Sequence, residues 1–233
     1  MDDDYYNEIE LILRQILQPI EKISFSTFIR VISGYKVIPL DLSANKDKKL
    51  VDDLIKASNE VIKDIRNTKG IKTKDGETPK RVNEVGNHIE PYVKKALSKY
   101  GYATTPKTKN GKHKSTGYPD IEFWYGGKSE NEGRVVYIEI KTYNEKNVNS
   151  SQRTFYASPP NDKDGFKIIH DAPHIVISFK IEKINNNYYA TGFKIVDLYK
   201  LTGSIKREFN ASNKELYDEE LVICSKNYKF DCM

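Results

Sequence analysis

No stretch of the sequence approaches the roughly 18 consecutive apolar residues that a membrane-spanning helix needs, and mean hydropathy is −0.66. A chain without a membrane span is expected. Cysteine is almost absent, with two residues, Cys224 and Cys232, both close to the C-terminal end. That count excludes a disulfide framework and a four-cysteine zinc site, and it suits a reducing cytosol. The opening Met1-Asp2-Asp3-Asp4 is acidic where a signal or transit peptide is basic, so a cytoplasmic protein is expected. Repeats, low-complexity tracts and long linkers are also missing. Disorder is excluded by 38% hydrophobic and 11% aromatic residues.

What is present reads as one domain of 233 residues, with a helical part over 1–78, a core over 79–200 and a C-terminal part over 201–233. Ile9, Leu13, Ile16, Leu17 and Ile20 share one helical face, with Ile12 beside them and Pro19 at the end. A second helix is predicted over 48–66, striped by Leu50, Leu54, Val61 and Ile65. Residues 24–42 are apolar and ambiguous. A third helix should begin at Thr78 as N-cap with Pro79 at its first position, and end before Gly101. Pro91 interrupts its stripe of Val82, Val85, Ile89, Val93, Ala96 and Tyr100, so a kink or two abutting helices is expected.

Beyond Tyr102 the apolar period becomes two. Strands are predicted over 118–125 and 134–143, followed by a polar stretch over 144–163. Residues 172–183 and 188–199 then form a hairpin around Asn185-Asn186-Asn187. Helices first and sheet second give an α/β or α+β fold.

The residues that carry chemistry are Gly117-Tyr118-Pro119-Asp120 and, on the next strand, Glu139-Ile140-Lys141. Side chains alternate along a strand, so Glu139 and Lys141 share one face while Ile138 and Ile140 enter the core. An acid and a lysine ending so apolar a strand are unusual for packing. Cleaving a phosphodiester requires a divalent cation, a positioned water and a group that handles its proton. Magnesium takes hard oxygen ligands and keeps several waters, so two carboxylates and a carbonyl suffice. Asp120 and Glu139, with the Ile140 carbonyl, are the candidate ligands, and Lys141 would orient or deprotonate the water. Asp47-Lys48-Lys49 repeats the acid-x-Lys spacing, but it opens a charged helix and has no Pro-Asp before it.

Pro119-Asp120 with Glu139-Ile140-Lys141 resembles the signature of the PD-(D/E)XK nuclease superfamily, and the chain resembles a type II restriction endonuclease. That resemblance implies a restriction-endonuclease-like core, a mixed central sheet flanked by helices. It also implies Mg2+-dependent hydrolysis of double-stranded DNA and a homodimer. An accessory glutamate from the preceding helix is implied as well, with Glu90 fitting best and Glu84 the rival. With no helicase or added binding domain, no nucleotide cofactor is expected. A repair, junction-resolving or phage nuclease with the same core is the first alternative, and a catalytically silent DNA-binding module the second.

Two features bear on DNA. The net charge of +5 is mild, but lysines cluster in two Gly-punctuated stretches: Lys69, Lys72, Lys74, and Lys107, Lys109, Lys112, Lys114. They read either as phosphate clamps or as solvated loops, and Asn110-Gly111 predicts a tight tip in the second. Asn144, Asn147, Asn149, Ser151, Gln152 and Arg153 follow the catalytic strand and are side-chain types that read base edges. Phe155 and Tyr156 would anchor that segment. Glu122, on the strand face of Asp120, is expected as a solvated edge residue, with an auxiliary ligand as the alternative, and His174 as a structural residue.

Overall fold

The computed structural model describes residues 10, 12–80, 84–150, 155–159, 165–206, 212–216, 218–221 and 223. The chain divides into a main unit, Ser24–Thr202, and a smaller unit made of Met1–Ile23 and Gly203–Met233. In the smaller unit, residues 12–17 are helical. Their apolar positions Ile12, Leu13, Ile16 and Leu17 are exposed rather than buried in a core. Pro19 ends that helix, and strand β1 (Ile20–Ser24) follows, paired with β7 (Thr202–Ile205).

In the main unit, the ambiguous stretch resolves into helix α1 (Phe25–Ser33). The Ser24 hydroxyl accepts from the Thr27 main-chain N–H at 3.1 Å, and Gly34, at φ 83°, closes the helix in the left-handed region. Helix α2 (Asn45–Asn67) starts three residues before its predicted boundary and buries Leu50, Leu54, Val61 and Ile65. Asp47, of the second acid-x-Lys triplet, is buried at its first turn. There it accepts from the Asp41 N–H and pairs with Arg134.

Helix α3 (Val85–Leu97) corrects the sequence reading at both ends. Thr78 is not its N-cap: the Thr78 hydroxyl donates to Asn187 Oδ1 at 2.7 Å, in a contact to the far hairpin that local sequence does not encode. Gly101 is not its terminator either. It opens strand β2 (Gly101–Thr104), where a Cβ would come within 2.3 Å of the Trp124 carbonyl oxygen. Only glycine lets β2 lie this close to its neighbour. The helix passes through Pro91 as one element, with Ile89 and Val93 buried on either side of it. Their burial outweighs the lost helical hydrogen bond.

Five strands form the central sheet in the order β2-β3-β4-β5-β6: β3 (Ile121–Tyr125), β4 (Arg134–Tyr143), β5 (His174–Ile184) and β6 (Asn187–Asp197) complete it. Only β4 and β5 are parallel, so the sheet is mixed. β3 begins three residues later than predicted, which leaves Asp120 just ahead of the ladder. The β5–β6 turn uses Asn185 and Asn186 at φ 47° and 63°, the left-handed pair that a two-residue hairpin requires.

Helices α2 and α3 cover one sheet face, against Ile121, Phe123, Val136, Ile138, Ile140, Ile175, Ile177 and Phe179. Helix α1 covers the other, where Phe25 and Ile29 meet Tyr137, Val176 and Ile168. Each fully buried aliphatic side chain here stabilises the fold by about 1.5–3 kcal/mol. The alternation along β4 is therefore enforced from both sides, and a one-residue slip would invert it.

Candidate active site

β4 emerges between the two layers carrying Tyr137, Glu139 and Lys141 on one side and Ile138 and Ile140 on the other. Asp120 is brought alongside by a single hydrogen bond, from the Ile140 main-chain N–H to Asp120 Oδ2 at 2.8 Å. The N–H and carbonyl of one strand residue point to the same side, so the Ile140 carbonyl faces the edge where Asp120 lies and the β3 ladder has ended. Glu139 is 4% exposed. Its Oε1 accepts from Lys141 Nζ at 2.6 Å, and its buried Oε2 has no hydrogen-bond partner among the described residues.

The electrostatics follow from this crowding. Burial, and then the Asp120 charge, push the Glu139 carboxyl up to about 7, outweighing the Lys141 ammonium beside it. Asp120 is also raised by burial, against the pull of the Ile140 N–H and Lys141. Glu90, on α3, adds to that rise, so it lies within electrostatic reach of Asp120, and it pairs with Lys94 at 2.6 Å. Glu84 stands at the N-terminal end of α3. Lys141 Nζ lies 5.8 Å from the centre of the Tyr156 ring, and Tyr156 is exposed.

An orphaned, buried carboxylate oxygen beside a second carboxylate fits a hard cation. Among the described residues no three His, Cys, Asp or Glu side chains gather into a cage. Two carboxylates and a carbonyl are a donor set of the kind magnesium takes while keeping its waters.

The turn that carries Asp120 is held by an aromatic cluster. Phe155 packs edge-on against Phe25 and Tyr118 at 5.6 Å each, which makes Phe155 an anchor as expected. Tyr118 and His174 share a hydrogen bond of 2.7 Å. Burial pushes the tyrosine up and holds the imidazole down to about 3, so His174 is a neutral core residue.

Of the lysine-rich stretch at 107–114, Lys109 and Lys112 are exposed around the Asn110-Gly111 tip, with Gly111 at φ 81°, and Lys114 is half-buried. Lys107 is engaged in an ion pair with Glu130 at 2.5 Å. In the other stretch, Lys72 Nζ donates to Thr78 and Asn187. Asn144 caps a short 3-10 turn, Glu145–Asn147, by accepting from the Lys146 N–H, and Asn149 is exposed. Ser151, Gln152, Arg153 and both cysteines lie outside the described residues, as does the side chain of Asn147.

Two residues near the site are not as the sequence implies. Glu122 is no solvated edge residue: β3 is flanked on both sides, and Glu122 is buried, with Oε1 accepting from Trp124 Nε1 at 2.8 Å. Lys167 is a site residue that sequence reasoning misses. It is 2% exposed, and its ammonium donates to the carbonyls of Gly117 and Pro119. The available signal was a lysine set in the apolar run Phe166-Lys167-Ile168-Ile169.

A family model described as the Type II restriction enzyme MjaV family matches residues 19–220. The chain is also 72% identical over 230 residues to Type II restriction enzyme MjaV of Methanocaldococcus jannaschii, an alignment that covers 98% of this chain and all of that protein. A match of this extent takes in both strands of the site, the turn before Asp120 and the crossover after β4, and on it the chain belongs to the Type II restriction enzyme MjaV family.

Proposed function

We propose that the protein is a sequence-specific endonuclease of a restriction-modification system, hydrolysing phosphodiester bonds of double-stranded DNA with Mg2+. The observation that carries this reading is the buried Glu139 Oε2, unpartnered among the described residues, beside Asp120 at the end of β4. Family membership supports the same reading and favours it over a repair nuclease or a silent binding module.

Asp120, Glu139 and the Ile140 carbonyl would hold the cation. When bound, it offsets charge on the phosphate and makes a water more acidic. The protein's own groups do the rest. The Ile140 N–H keeps Asp120 aimed at the strand end. Lys141, held against Glu139, presents an ammonium to the attacking water and to the charge that develops on the phosphate oxygens. Glu90 is the accessory acid in this reading, on the strength of its reach to Asp120.

Lys109, Lys112 and Lys114 would contact phosphates, with Lys107 braced by Glu130 behind them. Asn144, Asn147, Asn149, Ser151, Gln152 and Arg153 would read base edges. A homodimer, which palindromic sites favour, acts without a nucleotide cofactor and in the cytoplasm. No helix among the described residues is long and apolar enough to cross a membrane.

The test is digestion of a phage genome with Mg2+ and with chelator, followed by sequencing of the fragment ends. A single repeated end sequence that requires the metal is expected. Intact DNA, or random ends, would overturn the reading.

A further inference from the structure

Lys167 stands on the crossover that links β4 to β5, and its backbone is tied on both sides. The Phe166 carbonyl accepts from the Lys109 N–H at 3.1 Å, the Ile169 N–H donates to the Tyr137 hydroxyl at 2.9 Å, and Ile168 is buried beneath α1. From this fixed base the ammonium reaches the carbonyl oxygens of Gly117 and Pro119. Those carbonyls flank Tyr118, and the second immediately precedes Asp120.

A buried ammonium is costly unless it is hydrogen-bonded and compensated, and an apolar side chain would fill the same space at less cost. Lys167 has both compensations: two carbonyl acceptors, and Asp120, Glu139 and Glu90 within electrostatic reach. Its position is thus explained by the site rather than by packing.

We propose that Lys167 is a positioning residue of the cleavage centre: it clamps the turn that presents Asp120 and holds its ammonium within electrostatic reach of Asp120, Glu139 and Glu90. The proposal rests on the assignment of Asp120 and Glu139 as the metal-holding pair. Its two parts make opposite demands. The clamp serves cleavage by fixing Asp120, whereas the charge competes with an incoming divalent cation. Removing Lys167 therefore slows cleavage while tightening cation binding. A residue that merely filled the core would move stability, cation binding and cleavage in one direction.

Lys167→Met keeps the length of the stem and removes charge and donors, and Lys167→Gln keeps an amide donor without the charge. Each is compared with wild type and with Asp120→Asn. The measurements are single-turnover cleavage with Mg2+, duplex binding in Ca2+, and the Ca2+-dependent rise in melting temperature of the DNA-free protein. For Lys167→Met, cleavage falls by about 100-fold, as a small misplacement of a reacting group does. Duplex binding stays at the wild-type level. The Ca2+ concentration giving a fixed rise in melting temperature drops by roughly threefold or more, because a competing charge is gone. Lys167→Gln falls between the two.

Wild-type cleavage by Lys167→Met, or a Ca2+ concentration for that fixed rise that increases or stays put, overturns the proposal. If Lys167→Met does not fold, Lys167→Gln carries the same readouts; failure of both to fold makes Lys167 a fold determinant and also overturns it. Asp120→Asn separates the two assignments. Full activity there removes the metal-holding pair itself, whereas an inactive Asp120→Asn beside a fully active Lys167→Met removes only Lys167.

Discussion

The Ile140 main-chain N–H donates to Asp120 Oδ2 at 2.8 Å, so the residue between Glu139 and Lys141 is also the one that holds the aspartate. Asparagine can still accept this bond through its side-chain carbonyl, and alanine cannot. Asp120→Asn should lose cleavage by at least about two orders of magnitude while keeping its melting temperature and duplex binding. Asp120→Ala should be as inactive and less stable by about 1–3 kcal/mol, the cost of an unpaired N–H in a part-buried place. Denaturant unfolding beside a cleavage assay checks both, and normal cleavage by either variant would refute the assignment.

Glu139 gives a pH signature. Its folded-state value, about 7, lies above the ordinary 4.5 because of burial and Asp120. The contribution of the protonated form is therefore complete below about pH 4.5 and is lost as pH rises through about 7. Glu139→Gln removes this loss. In metal-free buffer its melting temperature should gain on that of wild type between pH 5 and pH 8, and a constant difference would contradict the assignment. Divalent cations should narrow the gap, since they bind the ionised form.

Lys141 and Glu139 should be coupled. Lys141→Ala leaves Glu139 Oε1, like Oε2, without a partner, at a cost of about 1–3 kcal/mol, and abolishes cleavage. In the Lys141→Ala/Glu139→Gln double variant the stability loss should be smaller than the sum, as contacting residues require. Additive losses in urea would show that the pair does not interact in solution. Glu90→Gln, by contrast, should lower cleavage only partly, because Glu90 already spends one oxygen on Lys94.

The lysine loop separates phosphate binding from packing. Removing a lysine that neutralises a phosphate should lower the slope of log affinity against log salt by roughly 0.9, for all duplexes alike. A Lys109→Ala/Lys112→Ala/Lys114→Ala variant should show this reduction once for each of the three that contacts a phosphate. An unchanged slope would mean that these lysines only solvate the loop. Lys107→Ala should instead lower thermal stability, because its pair with Glu130 is broken.

Base discrimination is predicted to lie between Asn144 and Arg153. Alanine at Asn149, Gln152 or Arg153 should each relax preference at one position of the site by about 1–3 kcal/mol. Binding to a randomised-site library measures it. Preference unchanged in all three would move base readout elsewhere in the chain.

The chemistry was legible in the sequence where it depended on near neighbours. Alternation through Val136, Ile138 and Ile140 defined β4 and turned Glu139 and Lys141 to one face, and Pro-Asp marked the partner carboxylate. Asn185-Asn186 announced the hairpin, because two left-handed residues in a row suit little else. The 3.6 period defined α2 almost to its ends. Elsewhere a local rule met a distant competitor. Thr78 reads as an N-cap, yet its hydroxyl goes to Asn187; Gly101 reads as a helix terminator, yet it is there for the approach of Trp124. Glu122 carries the same charge in sequence as any surface glutamate, and only the strands on both sides of β3 make it a core residue.

Composition, periodicity and two short motifs thus determined the kind of protein, the strand that bears the candidate site and the three side chains proposed for it. The tertiary structure alone decided that Ile140 holds Asp120, that Glu139 keeps one buried oxygen without a partner among the described residues, and that Lys167 reaches Pro119 across 48 residues of chain. The reason is physical. Propensity and alternation act over a few residues, whereas a hydrogen bond between distant segments exists only once the sheet and both its helical layers have closed around it.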